Sequence, residues 1–199
     1  MKGLIFIPDI SGFTDFVWKV PAEAGAAITR ELLNEIIDHS LPELKLAEVE
    51  GDALLFYKFG TPYPLPLILD SFEKIGAAFT KKYRSLKVLH NVDAHLSIKF
   101  ILHFGDIDTY KIRSFEKLYG KAIVESHRLL KNDFGGTDYL LVTEDYLRAC
   151  DSDQSPTEPI LRPQKVTMNF DHLGNMNYYF YSQSAPSTTH ISMAKSAAC

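Results

Sequence analysis

Leu4, Ile5, Phe6 and Ile7 run without a polar break between Gly3 and Pro8, and they deliver Asp9-Ile10-Ser11-Gly12-Phe13-Thr14. A strand with one wet face would alternate apolar and polar residues, so this unbroken run suits a strand covered on both faces. The chain is thereby committed to a sheet held between two layers. Asp9 leaves a carboxyl at the exposed C-terminal rim of that strand, where open α/β sheets bind ligands. Ser11-Gly12 lets the backbone approach a ligand closely, with N–H groups free to meet phosphate oxygens. A metal ion held by Asp9 would neutralise the same phosphates. Read locally, Asp9 to Gly12 is equally a strand-ending turn made of good turn formers.

A second acidic break follows. Leu44 to Val49 and Ala53 to Phe59 flank Glu50-Gly51-Asp52, a polar, glycine-centred interruption typical of a hairpin, so Asp52 sits at a strand junction. Between the two acids, Ile28, Leu32 and Ile36 recur every four positions, and Pro21 suits the first turn of a helix running to Ser40. Thr61 to Pro66 reads as a proline-rich loop, and Ile68, Phe72, Ile75, Phe79 and Tyr83 as the buried stripe of a second helix. Leu96, Ile98, Phe100, Leu102 and Phe104 alternate with Ser97, Lys99 and His103, the pattern of a strand with one buried face.

A third helix is expected from Gly120 to Lys131, burying Ile123, Val124, His127 and Leu130 and exposing Lys121, Glu125, Arg128 and Asn132. Tyr139 to Thr143 reads as a short strand. Residues 151 to 165, with Pro156, Pro159 and Pro163, read as a connection, and Val166 to Phe170 and Met176 to Tyr181 as a hairpin around Asp171 to Asn175. The expected order is strand, helix, strand, strand, helix, strand, helix, strand, hairpin. Residues 1–183 form one domain in this reading, and 184–199, rich in Ser, Ala and Thr without periodicity, form a mobile tail.

Composition narrows the functional classes. With 199 residues, 46% of them hydrophobic and 23% charged, one globular domain suffices. A formal charge of -4 leaves no basic surplus, which argues against duplex nucleic acid as a partner. Cys150 and Cys199 form neither a disulfide framework nor a metal motif. No apolar run nears the roughly 20 residues that span a bilayer, and Asp9 interrupts the N-terminal run before a signal core forms. A cytoplasmic chain is the simplest expectation. His103 and His127 have no accompanying Ser or Cys nucleophile motif and read as core or surface histidines.

Asp9 and Asp52, at the ends of strands that can be neighbours, would form a hard-cation site. Mg²⁺ favours one or two protein carboxylates completed by waters and phosphates, so the pair calls for a nucleotide in the same cleft. Phe6-Ile7-Pro8-Asp9-Ile10-Ser11-Gly12-Phe13-Thr14, then Glu48-Val49-Glu50-Gly51-Asp52, then Tyr119-Gly120 entering a helix with Arg128, together resemble the class III adenylyl and guanylyl cyclase catalytic domain over roughly residues 3 to 182.

The resemblance implies an α/β (α+β) ferredoxin-like cyclase-type fold, with helices packed on a mostly antiparallel sheet, that homodimerises and binds a nucleoside triphosphate between subunits. It implies two Mg²⁺ or Mn²⁺ ions on Asp9 and Asp52, assisted by the Ile10 carbonyl. It further implies terminal phosphates on the backbone of Ser11, Gly12, Phe13 and Thr14, base selection by Glu48 and Lys117, and Arg128 stabilising transition-state charge from the opposite subunit. Arg128 equally suits a surface ion pair with Glu125, and Glu48 with Lys117 suits an ion pair closing the base pocket.

The chain departs from the family pattern in two places. Val124 stands where the active family has a ribose-orienting asparagine, and the phosphate-binding lysine near the final hairpin is absent. Three functions stay open on these residues: a divergent cyclase (a phosphorus–oxygen lyase), a non-catalytic nucleotide- or protein-binding regulatory module, and a metal-dependent phosphohydrolase.

Overall fold

Every residue from Gly3 to Ile10 is buried in strand β1 (Lys2–Ser11), as an unbroken apolar run requires. The computed structural model of the chain describes residues 1–131, 138–150, 164–170 and 174–182. β1 is followed by helices α1 (Phe13–Lys19) and α2 (Ala22–Asp38), strands β2 (Lys45–Glu50) and β3 (Ala53–Phe59), helix α3 (Leu65–His90) and strand β4 (Ser97–Asp106). Then come the hairpin β5 (Asp108–Ile112) and β6 (Phe115–Tyr119), helix α4 (Lys121–Leu130), strand β7 (Tyr139–Thr143), helix α5 (Glu144–Ala149), and strands β8 (Gln164–Phe170) and β9 (Gly174–Ser182). Seven strands form one sheet in the order β2-β3-β1-β4-β7-β9-β8. All its pairings are antiparallel except β4 with β7, whose crossover carries the β5–β6 hairpin and α4.

Strand alternation divides the core in two. Leu4, Phe6 and Ile10 point to the face covered by Ile28, Leu32 and Ile36 of α2 and by Ile68, Phe72 and Phe79 of α3. Phe100 stacks on Phe6 and meets Phe72 edge-on there. Ile5 and Ile7 point the other way, with Leu55, Tyr57, Ile101 and Leu141, under Ala122 and Leu129 of α4. The sheet is therefore mixed α+β with helices on both sides of its centre, and its strands are mostly antiparallel, as expected.

Four sequence expectations need correction. Pro66 lies inside the first turn of α3, which begins at Leu65 behind Pro64; a proline there sacrifices no helical hydrogen bond. β4 has no wet face in its middle: His103 is buried, because α4 covers the side that alternation assigned to solvent. Helix α4 buries Ala122, Ser126 and Leu129, while Val124 is half-exposed. Small residues win that face because the helix must approach the sheet closely: a Cβ on Gly105 would lie 3.0 Å from the Ala122 Cβ. Finally, α1, α5 and the β5–β6 hairpin were not foreseen, although the hairpin presents Tyr110, Ile112, Phe115 and Tyr119 to solvent.

Cys150 is half-buried, with its thiol donating to the Tyr63 carbonyl. Asn132, the proline-rich connection, the tip of the final hairpin, the tail and Cys199 lie outside the described residues. Among the described residues no helix is long and apolar enough to cross a membrane.

The close α4 contact predicts that Ala122→Leu destabilises the fold by about 1–3 kcal/mol, since a well-packed interface has no room for added methylenes. Urea unfolding followed by far-UV circular dichroism measures it.

Candidate functional site

Register brings the two acids together. Asp9 of β1 stands opposite Ala53 of β3, the residue after Asp52, and the Ile10 N–H donates to the Asp52 carbonyl at 3.2 Å. Asp9 is not on an exposed rim; it is 8% accessible, inside β1. Asp52 is half-buried in the β2–β3 turn, after Gly51 in the left-handed region (φ 64°).

A third charged residue joins them, and alternation in the sequence had assigned it to a solvent face. Lys99 of β4 lies directly across from Asp9, with its ammonium 2.9 Å from the Asp9 carboxylate and 3.2 Å from the carbonyl of Leu130, the last residue of α4. The two side chains of the pair are 17% and 12% accessible. An unpaired buried carboxylate would cost several kcal/mol, and the lysine offsets that cost. The missed signal was a lysine on the same strand face as His103, where an uncovered strand would place any polar residue.

The carboxyls differ in their surroundings. Burial, reinforced by the negative charge of Asp9, pushes the Asp52 carboxyl from its ordinary 3.8 up to about 6, against the pull of Lys99. Two carboxylates, with no cluster of three or more metal-ligating side chains among the described residues, are a donor set that suits Mg²⁺ or Mn²⁺ rather than a softer ion.

After Asp9 the chain turns at Ser11 into Gly12, whose φ of 84° and contact with the His95 carbonyl, 2.5 Å from where a Cβ would stand, exclude other residues. Phe13 and Thr14 form the first turn of α1, whose leading N–H groups lack intrahelical partners by construction. Glu48 on β2 pairs with Lys117 on β6 at 3.0 Å, so the hairpin lies against the edge of the sheet. Arg128 is exposed on α4, one turn from Val124 on the same outward side, and has no ion pair among the described residues. Glu125, its expected partner, instead turns inward to His103 and reaches Lys121 at 3.5 Å.

Beneath α4, His103 Nε2 lies 3.0 Å from Glu125 and Nδ1 2.9 Å from the Thr143 hydroxyl. The partners fix the tautomer: Nε2–H donates to the carboxylate and Nδ1 accepts from Thr143, which caps α5 by accepting the Tyr146 N–H. Although burial pushes the Glu125 carboxyl up, His103 and Lys121 together hold it below its ordinary value. His127 is half-exposed near Glu50, at 4.0 Å.

This sheet order, with α4 lying across one face and the helices α1 to α3 across the other, is the fold of nucleotidyl cyclase catalytic domains. The guanylyl cyclase Cya2 matches with a TM-score of 0.69 at 13% identity, over 94% of this chain and 95% of that one. The adenylyl cyclase CyaB of P. aeruginosa matches at 0.64 and 16% identity, covering 92% and 95%. The guanylate cyclase domain of RhGC from Catenaria anguillulae, solved in complex with GTP, matches at 0.62 and 15% identity, covering 91% and 96%. Identities this low speak for the fold alone.

The chain belongs to the family described as "Protein of unknown function (DUF2652)", whose model matches residues 29–139, a span holding Asp52, Lys99 and Arg128 but not Asp9. The uncharacterized protein Rv2561/Rv2562 of Mycobacterium tuberculosis is 31% identical over 121 residues, 57% of this chain and 56% of that protein. This chain thus spans about half the length of the curated relative it matches.

The Asp52 environment predicts a stability effect with a definite sign. Because its folded carboxyl binds protons more readily than the unfolded one, its stabilising contribution is full below about pH 4 and is lost as pH rises through about 6. Asp52→Asn therefore raises the Tm at neutral pH, and the gain shrinks to nothing in acid. Thermal unfolding at a series of pH values measures it.

Proposed function

We propose that the chain is a cyclase-type domain that binds a divalent metal and a nucleoside triphosphate, and that two copies assemble to form a 3′,5′-cyclic nucleotide and pyrophosphate. The observation that carries this reading is the meeting of Asp9 and Asp52 across β1 and β3, beside the glycine turn into α1. In the reaction the ribose 3′-oxygen attacks the α-phosphorus, the bond to the β-phosphate oxygen breaks, and the 3′-hydroxyl proton is released. Mg²⁺ or Mn²⁺ on the two carboxylates would supply charge neutralisation for the nucleophile and the departing pyrophosphate.

The protein's own groups divide the remaining work. Asp9 and Asp52, with the Ile10 carbonyl, would hold the metal, and the backbone from Ser11 to Thr14 would hold the terminal phosphates at the start of α1. Glu48 and Lys117 border the base; their 3.0 Å pairing leaves either group able to turn to a purine edge. Arg128 points away from its own sheet and is therefore available to the site of a second copy, where a guanidinium can stabilise charge on the transferring phosphorus. The apolar side chains of the β5–β6 hairpin supply surface for that assembly.

A second reading, a nucleotide-binding regulatory module without turnover, is favoured by one residue. Val124 offers no hydrogen bond to a ribose from the helix face that carries Arg128.

Incubating the chain with each nucleoside triphosphate and Mn²⁺, then separating the products by chromatography, distinguishes the readings. Cyclic nucleotide is the expected product. Arg128→Ala should lower its rate about a hundredfold to a thousandfold, the usual cost of one transition-state donor. Metal-dependent nucleotide binding without product selects the regulatory module, and nucleoside diphosphate with inorganic phosphate selects a phosphohydrolase. Nucleotide binding that Asp9→Asn and Asp52→Asn leave unchanged would overturn the proposal.

A further inference from the structure

Lys99 is the one residue of the site whose two partners belong to different functions. Its ammonium touches Asp9, a metal-holding carboxylate under the proposed function on which this inference rests, at 2.9 Å. It also donates to the Leu130 carbonyl at 3.2 Å. That carbonyl is among the four at the end of α4 that have no intrahelical partner, and a cation there is favoured by the helix dipole as well. Arg128 lies in the same last turn. The lysine therefore ties the charge at Asp9 to the position of the helix end that carries the arginine.

The tie cannot hold unchanged when the site is loaded. A divalent cation at Asp9 and an ammonium within hydrogen-bond distance of the same carboxylate are like charges a few ångströms apart in a half-dry cleft, where their repulsion is far stronger than in water. A lysine has four rotatable carbons and can leave, whereas Asp9 is fixed by pairing on both sides of β1. Leaving Asp9 also draws the ammonium from the Leu130 carbonyl, because both contacts depend on the same side-chain conformation.

We infer that Lys99 is an internal counter-ion that competes with divalent cations for Asp9 and, when displaced, gives up its hold on the Leu130 carbonyl and loosens the C-terminal turn of α4. In the metal-free chain the lysine neutralises the site and pins the helix end. In the loaded chain that end keeps its Leu129 packing but loses the lysine, so metal occupancy and the placement of Arg128 are coupled through one side chain. Lys99 is in this sense a positioning residue, acting through Asp9 and α4.

The test measures Mn²⁺ affinity by isothermal titration and backbone hydrogen exchange across residues 121–131, without nucleotide, in the full chain and in Lys99→Met and Lys99→Arg. Circular dichroism checks that each variant is folded. Removing the competing charge should tighten Mn²⁺ binding about tenfold or more in Lys99→Met, while Lys99→Arg stays near the parent chain. Mn²⁺ should speed exchange in the last turn of α4 in the parent, and Lys99→Met should show fast exchange there with or without the ion. Equal affinity in the parent chain and Lys99→Met, or exchange in that turn that ignores Mn²⁺ in the parent, overturns the inference and leaves the proposed function standing. Failure of all three chains to bind Mn²⁺ overturns both.

Discussion

A carboxylate inside a two-faced sheet is tolerated only with a cation beside it, and the pairing of Asp9 with Lys99 is the constraint on which the rest of this structure turns. It fixes the register of β1 against β4, because a slip of one residue would drive Asp9 to the opposite face, toward Phe72 and Phe100. On its other edge, the pairing of β1 with β3 sets Ala53, and hence Asp52, beside the acid. An apolar pair at these positions could hold the sheet as well, so the charged pair is not what stability alone requires.

The helix over the site is held by complementary means at its two ends. Near its start, the Ala122 and Gly105 contact brings backbone close to backbone, and His103 fastens Glu125 to Thr143 through one buried imidazole. At its end, buried Leu129 packs into the core and Lys99 donates to the Leu130 carbonyl. One end is joined to the sheet through a buried imidazole; the other adds a charge contact to its apolar packing.

Much of this was readable from the residues. The unbroken run from Leu4 to Ile7 announced a doubly covered strand, the four-residue spacing in α2 and α3 marked their buried stripes, and Asp52 fell at the junction of β2 and β3. What failed did so for identifiable reasons. Apolar periodicity assigned Val124 to the core and Glu125 to solvent, but close approach to Gly105 selects small Ala122 and Ser126 for contact, and a buried histidine draws the glutamate inward. Alternation in β4 showed that Lys99 shares a face with His103, yet could not say that α4 covers that face. The β5–β6 hairpin escaped notice because its pattern mixes aromatic and charged residues on strands that belong to no core. Whether a lysine sits on a carboxylate is a property of pairing across ninety residues, and no local window contains it.

The position of Trp18 has a practical consequence. It is the chain's sole indole, and it stands 85% exposed on α1, the helix that begins at the Gly12 turn, while the tyrosines at 139, 146, 178 and 181 are fully buried. Its fluorescence therefore reports the surroundings of that short helix, and a partner or ligand arriving there would shift the emission toward blue while the protein's interior stayed as it was. The interior itself is visible optically through near-ultraviolet tyrosine dichroism, so two wavelengths separate events at the surface from the integrity of the fold.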